Sequence, residues 1–274
     1  MADVEKNAAA PGGAAEGTAA ATAAKGGEEP VVSLEHVDAG YGGAAILKDV
    51  SLTVNRGEVF VLLGGSGCGK STIMKHMIGL NPVLSGRLRV AGMEWGRRTR
   101  AALCRKIGVM YQSGALFGSM TCLENVMLPL EEFTRMRRRE RVEKAMALLA
   151  DVELADAAGR MPGEISGGMK KRVAIARAMA LDPEVLFLDE PSAGLDPLTS
   201  SALDDLILRL RREKGTTFVV VTHELPSIFK IADRCAMFDK ARHGMIASGT
   251  PQGLRDGSRD PFVLKFFNRG GTYG

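Results

Sequence analysis

Gly64-Gly65-Ser66-Gly67-Cys68-Gly69-Lys70-Ser71 matches the pattern G-x-x-x-x-G-K-[ST] in full, with Thr72 next in line. Glycines at this density let successive backbone N–H groups turn inward and approach a phosphate chain with no Cβ in the way. Lys70 supplies charge to the β- and γ-phosphates, the Ser71 hydroxyl is a ligand for Mg²⁺, and the helix start adds its partial positive charge. A second group narrows the chemistry. The run Val185-Leu186-Phe187-Leu188 ends in adjacent carboxylates, Asp189 and Glu190. Four apolar residues followed by acids describe a core strand ending where ligands of α/β sheets bind. Asp189 can hold the magnesium through water, and Glu190 is then placed to polarise a water for in-line attack on a γ-phosphate. Together the two groups predict a site for a nucleoside triphosphate and Mg²⁺.

The elements that must position these residues follow from the surrounding pattern. Val31–Val37 and Ile46–Val54 read as strands separated by a Gly-rich turn at Gly40–Gly43. Glu58–Leu63 is a continuous apolar run suited to a strand buried on both faces, and Lys70–Leu80 carries apolar residues at helical spacing. Residues 86–111 read as shorter strands around a basic stretch. Residues 121–180 are helical, with Glu131–Ala150 as one charged, then Ala/Leu/Met-rich segment and Gly168–Leu181 as another. Val185–Leu188, Thr217–Val221 and Arg234–Phe238 return as strands, alternating with helices near Leu198–Arg212 and Leu225–Ile231. That alternation predicts a mostly parallel sheet with a helical insertion.

The 274 residues carry 36 basic and 32 acidic side chains, a net charge of +4 that decides little about partners, and no nucleic-acid partner is expected. No stretch approaches the roughly 18 uninterrupted apolar residues of a membrane span. The start of the chain has no signal-peptide pattern, and Cys68, Cys104, Cys122 and Cys235 show no metal or disulfide spacing. Residues 1–30 hold 11 Ala, 5 Gly, five acids and two lysines, a composition expected to stay disordered. Cys68, inside the phosphate loop, is expected to be alkylated in a manner ATP protects against.

Ile165-Ser166-Gly167-Gly168-Met169, followed by the basic, Ala-rich run Lys170–Ala178, resembles the signature segment of the ATP-binding-cassette (ABC) ATPases. The resemblance spans about residues 31–250. It implies an α/β fold: a P-loop NTPase with a RecA-like, mostly parallel sheet core, an antiparallel β subdomain and a helical subdomain at about 115–180. Ser166, Gly167, Gly168 and Met169 would form a second anion cradle at a helix N-terminus. One protomer has no evident use for two cradles, whereas two copies facing head to tail would each close over the other's ATP. The smaller family motifs then carry over. Tyr41 resembles the aromatic that stacks on adenine. Gln112 sits where the family's glutamine reaches Mg²⁺ and the attacking water, and Asp196 lies in the loop that crosses the dimer. His223 matches the switch histidine that contacts the γ-phosphate.

The spacing from Gln112 to Ser166 leaves room only for a compact subdomain, and excludes relatives with coiled-coil insertions. A transport ATPase remains, or a soluble assembly ATPase of the iron–sulfur kind. Gln112-Ser113-Gly114-Ala115-Leu116-Phe117, the ending Met169 and the segment His223–Asp233 resemble the Mce-associated (Mla-type) ATPases. Those power phospholipid traffic from the cytoplasmic face of the inner membrane. The resemblance implies a homodimer with membrane permease subunits, an Mce-type substrate-binding subunit and a small cytoplasmic regulatory subunit. Leu116, Phe117, Met120 and Leu123 would then receive a helix of a membrane subunit, or else be core. The apolar extension 251–274 would embrace a partner copy or pack on its own domain.

Overall fold

The computed structural model describes residues 29–268. The tail expected to be disordered lies outside the described residues as far as position 28, as do residues 269–274 with Tyr273. Two sheets organise the rest. The smaller is antiparallel, with β1 (Val32–Tyr41) paired to β2 (Ala44–Val54) on one side and to β4 (Ser85–Val90) on the other, and β5 (Met93–Glu94) at the edge. The turn is shorter than the sequence suggests: β1 runs through Tyr41, leaving only Gly42-Gly43. Both have positive φ (58° and 82°), the requirement of a two-residue hairpin whose twist matches its strands.

The larger sheet places β3 (Val59–Gly64) centrally, in the order β10 (Gly244–Gly249), β9 (Arg234–Asp239), β3, β8 (Thr217–Val221), β7 (Val185–Asp189), β6 (Ile107–Met110). All its pairings are parallel except that of β10 with β9. Its inner strands β3, β8 and β7 are near-continuous apolar runs because both faces are covered, whereas edge strand β10 is half-buried throughout. Val61, Leu188 and Val220 belong to the layer shared with the helices, and Leu62, Phe187 and Val219 to the layer shared with the antiparallel sheet and α1 (Lys70–Met77).

The helical insertion comprises α3 (Cys122–Phe133), α4 (Arg138–Asp151) and α5 (Gly167–Ala178). Three boundaries differ from the sequence expectation. Part of the basic stretch read between strands is a helix, α2 (Arg100–Lys106), which buries only Leu103 and turns its arginines outward. The segment 131–150 is broken between Phe133 and Arg138. There the Thr134 hydroxyl donates to the Leu130 carbonyl (2.6 Å), and Glu140 accepts from the Arg137 N–H (2.7 Å) to start the next helix. Finally, α1 stops at Met77, and Leu80 is exposed.

Asn125 is fully buried and ties down the turn before α3. Its amide donates to the carbonyls of Phe117, Met120 and Thr121 (3.0–3.1 Å) while its oxygen accepts from the Phe117 N–H at 2.8 Å. Of the apolar residues beside it, Leu116 and Leu123 pack against the core and Phe117 stays half exposed. After α6 (Pro197–Lys214) and α7 (Leu225–Ile231), the chain adds α8 (Pro251–Gly257) and α9 (Pro261–Phe267). Val263, Phe266 and Phe267 of α9 are buried in the chain's own core, Phe267 edge-on to Phe229 of α7 at 5.7 Å.

Candidate nucleotide site

Four neighbouring parallel strands end together, and each delivers one part of the site. β3 leads into Gly64–Ser71, β8 into Thr222-His223, β7 ends in Asp189-Glu190, and β6 leads into Tyr111-Gln112. The register pairs Leu62 with Val221, Asp189 with Val221 and Met110 with Leu188, so the four carboxyl ends line one edge. Crevices at such edges are where α/β sheets bind their ligands.

The phosphate loop depends on glycine where its backbone turns. Gly69 has φ 104°, and a Cβ there would stand 2.7 Å from Leu47; Gly64 has φ 142° and lies 2.4 Å, by the same measure, from the Phe238 carbonyl. Ser66 and Gly67 are exposed, as a ligand cradle requires, and Gly65 is half-buried. The Lys70 ammonium donates to the carbonyls of Gly64 (2.9 Å) and Gly65 (3.0 Å). Thr72 is buried behind Ser71, which is exposed. The Cys68 side chain is 2% exposed and packs in the layer below the loop, with its Sγ 2.6 Å from where a Gly64 Cβ would be. This burial weighs against the expected ATP-protectable alkylation, since a buried thiol must be uncovered before it reacts.

The Ser71 hydroxyl donates to Asp189 Oδ1 at 3.5 Å. Burial, and then the charge of Glu190, push the Asp189 carboxyl above its ordinary range. Two hard oxygen donors, one of them a carboxylate that gains from a nearby positive charge, fit Mg²⁺ held jointly with phosphates. Glu190 itself is in the left-handed region at φ 47°, strained for a residue with a side chain. Its Oε1 accepts from His223 Nδ1 at 2.9 Å, and its Oε2 is buried with no hydrogen-bond partner among the described residues. His223 is mostly exposed, so a carboxylate inside the crevice is linked to an imidazole at its mouth. Gln112 is exposed and lines the same cleft as Tyr111, Ser113, Asp189, Ala193 and Gly194.

Tyr41 stands at the end of β1, 43% exposed, with the Lys75 ammonium 5.7 Å from its ring centre. Ser166 caps α5, accepting from the Met169 N–H at 3.3 Å, and Ser166 and Gly167 are exposed at that helix start. Gly168 is buried against Thr199, and Met169 packs partly into the core. Asp196 does not present a free carboxylate. Its oxygens accept from the N–H groups of Leu198 and Thr199 (3.1 and 3.0 Å) and from the Thr199 hydroxyl, capping α6, and these bonds lower its pKa. The structure thus gathers Lys70, Ser71, Asp189, Glu190, His223 and Gln112 on one edge. Ser166–Gly168 lie instead against Leu195 and Thr199, near the start of α6.

Sequence reasoning missed two residues here. Lys171 and Arg177 on α5 both donate to main-chain carbonyls of the segment that begins at Gln112. The sequence shows only a basic run, and nothing in it separates these two from solvated neighbours.

A family model described as ABC transporter matches residues 47–193. The chain is 37% identical over 231 residues to the probable ribonucleotide transport ATP-binding protein mkl of Mycobacterium bovis, covering 83% of this chain and 64% of the relative. It is 38% identical over 211 residues to the methionine import ATP-binding protein MetN of Latilactobacillus sakei, covering 76% and 60%. The chain therefore spans less than two thirds of the length of these relatives. Among solved structures, the dimeric post-hydrolysis state of the ATP-binding cassette MJ0796, bound to ADP and Pi, superposes with a TM-score of 0.72. Its sequence identity is 30%, over 80% of this chain and 98% of that one.

Proposed function

We propose, because the chain belongs to the ABC transporter family, that it is the ATP-binding and ATP-hydrolysing subunit of a transport system. The observation that carries this reading is the convergence of Lys70, Asp189, Glu190 and His223 at the ends of adjacent strands. The loop N–H groups and Lys70 bind and orient the phosphates, spreading their charge without distorting the loop. Ser71 and Asp189 would hold Mg²⁺, which would supply neutralisation of the phosphate charge. Glu190 accepts a hydrogen bond from the attacking water through its unpaired Oε2. His223, holding Oε1, fixes the carboxylate's direction and stands at the crevice mouth to contact the γ-phosphate. Gln112 faces the same cleft and orients the water from the other side. Phosphoryl transfer needs little more than such positioning.

Two copies work together in this reading. The exposed start of α5, with Ser166 and Gly167, closes on the partner's ATP, and Tyr41 stacks on the adenine. The cargo is a lipid of the phospholipid class, moved through separate permease subunits with an Mce-type subunit, while this chain sits on the cytoplasmic face of the inner membrane. Support for the lipid assignment is the resemblance of Gln112–Phe117, the ending Met169 and His223–Asp233 to the Mce-associated ATPases. No helix among the described residues is long and apolar enough to cross a membrane. The alternative of a non-transport assembly ATPase is not favoured, since the curated relatives are named as transport ATP-binding proteins. The test is purification of the full chain from detergent-solubilised membranes. A permease and an Mce-type subunit are expected to co-purify; recovery of soluble partners alone would overturn the transport reading, and a permease with a different binding subunit would overturn the lipid one.

A further inference from the structure

Lys171 is only 6% exposed, on the second turn of α5, yet none of the ion pairs among the described residues involves it. Its ammonium donates to the Gln112 carbonyl and, at 3.5 Å, to the Glu190 carbonyl. Further along the same helix, Arg177 donates through both terminal nitrogens, to the carbonyls of Gly114 and Ala115, each at 2.8 Å. Three of the four carbonyls from Gln112 to Ala115 are thus held by two cations on one helix. The segment has little else to fix it: Gln112, Ser113 and Ala115 are exposed, and its internal tie is the Gly114 N–H to the Tyr111 carbonyl at 2.7 Å.

Burying a charge is costly, and burial lowers the pKa of both Lys171 and Arg177, although the charges of Asp189 and Glu190 offset part of that cost at Lys171, which forms no direct ion pair with either. A neutral or apolar side chain would fill the Lys171 position more cheaply if packing were its only duty. What the ammonium adds is a link among three elements: the helix whose N-terminus is Ser166, the main chain at Gln112, and the main chain at Glu190. The geometry points to Lys171 as a positioning residue for hydrolysis, one that makes Gln112 and Glu190 move with α5 as a unit. Arg177 extends the grip to the rest of the loop. This rests on the roles given above to Gln112 and Glu190.

The test is a double-mutant cycle on the full-length chain, reading ATP turnover at saturating Mg-ATP, KM and thermal stability. Lys171→Met is expected to lower kcat about tenfold with KM within about twofold, and Lys171→Arg to restore most of the loss. In a Gln112→Ala background the same Lys171→Met change is expected to cost less than about threefold, because most of its effect passes through Gln112, whose carbonyl it holds more closely than the Glu190 carbonyl at 3.5 Å. An equal fold-loss in both backgrounds, or wild-type kcat in a folded Lys171→Met protein, overturns the proposal. Should the Met variant not fold, Lys171→Gln enters the same cycle with the same criteria. Glu190→Gln serves as the separate control and is expected to lose about a hundredfold or more in kcat. If it does not, the reading of the site itself is wrong; if it does while the Lys171 cycle is additive, only the positioning role fails.

Discussion

Glu190 is held in a strained backbone conformation, with one carboxylate oxygen on His223 and the other buried and unpartnered. Strain of this kind persists only where surrounding bonds enforce it. Here they are the Glu190 N–H to the Val221 carbonyl (2.8 Å) and the Glu190 carbonyl accepting from Ala193 (3.2 Å). His223 is mostly exposed and its ring is bonded to the Glu190 carboxylate, so its removal is expected to separate chemistry from folding. His223→Ala is expected to keep ATP affinity within about threefold and the wild-type melting temperature, while kcat falls between about ten- and a hundredfold. Single-turnover and equilibrium-binding measurements check this; an unchanged kcat would remove His223 from the mechanism. Cys68 shows the opposite case, where a residue inside the motif contributes packing below the loop. Its place in the pattern was legible, but the direction of its side chain was not, because that depends on β9 and α1 closing over it.

At the scale of elements, the strands carrying the site were legible because a buried parallel strand is a short apolar run, and each such run ends in its chemistry. Val59–Gly64, Val185–Asp189 and Thr217–Val221 are of this kind. Elements whose residues do not share one periodicity were not legible. The short α2 has a single buried residue, β10 is half-buried throughout, and the break between α3 and α4 rests on side-chain bonds of Thr134 and Glu140. One contact between elements is sterically severe. Gly108 of β6 faces the end of α5, and a Cβ there would lie 2.2 Å from the Ala178 carbonyl and 2.5 Å from Leu186. That approach lets α5 sit close enough to β6 for Lys171 and Arg177 to reach the Gln112 segment. Gly108→Ala must push helix and strand apart and is expected to cost about 1–3 kcal/mol. Denaturant unfolding with an unchanged m-value and a lowered midpoint is the expected result.

At the scale of the whole molecule, the two anion cradles have separate surroundings. The phosphate loop touches Leu47, Phe238 and Phe262, whereas Gly167 and Gly168 touch Leu195 and Thr199. On the reading proposed above, a lone chain presents two half-sites, and a symmetric pair completes both, each with one chain's Lys70 and the other's Ser166. Mixing two inactive variants tests this directly. In a mixed dimer of Lys70→Ala and Ser166→Arg chains, both lesions fall in one composite site, and the other site is wild type throughout. If half the dimers are mixed and each keeps one of its two sites, turnover is expected to recover to about a quarter of wild type. Were each site built within one chain, every site in the mixture would carry a lesion and no activity would return. Recovery that rises with the mixed fraction, followed as the ratio of the two chains is varied, separates the composite arrangement from a small residual activity of either variant alone.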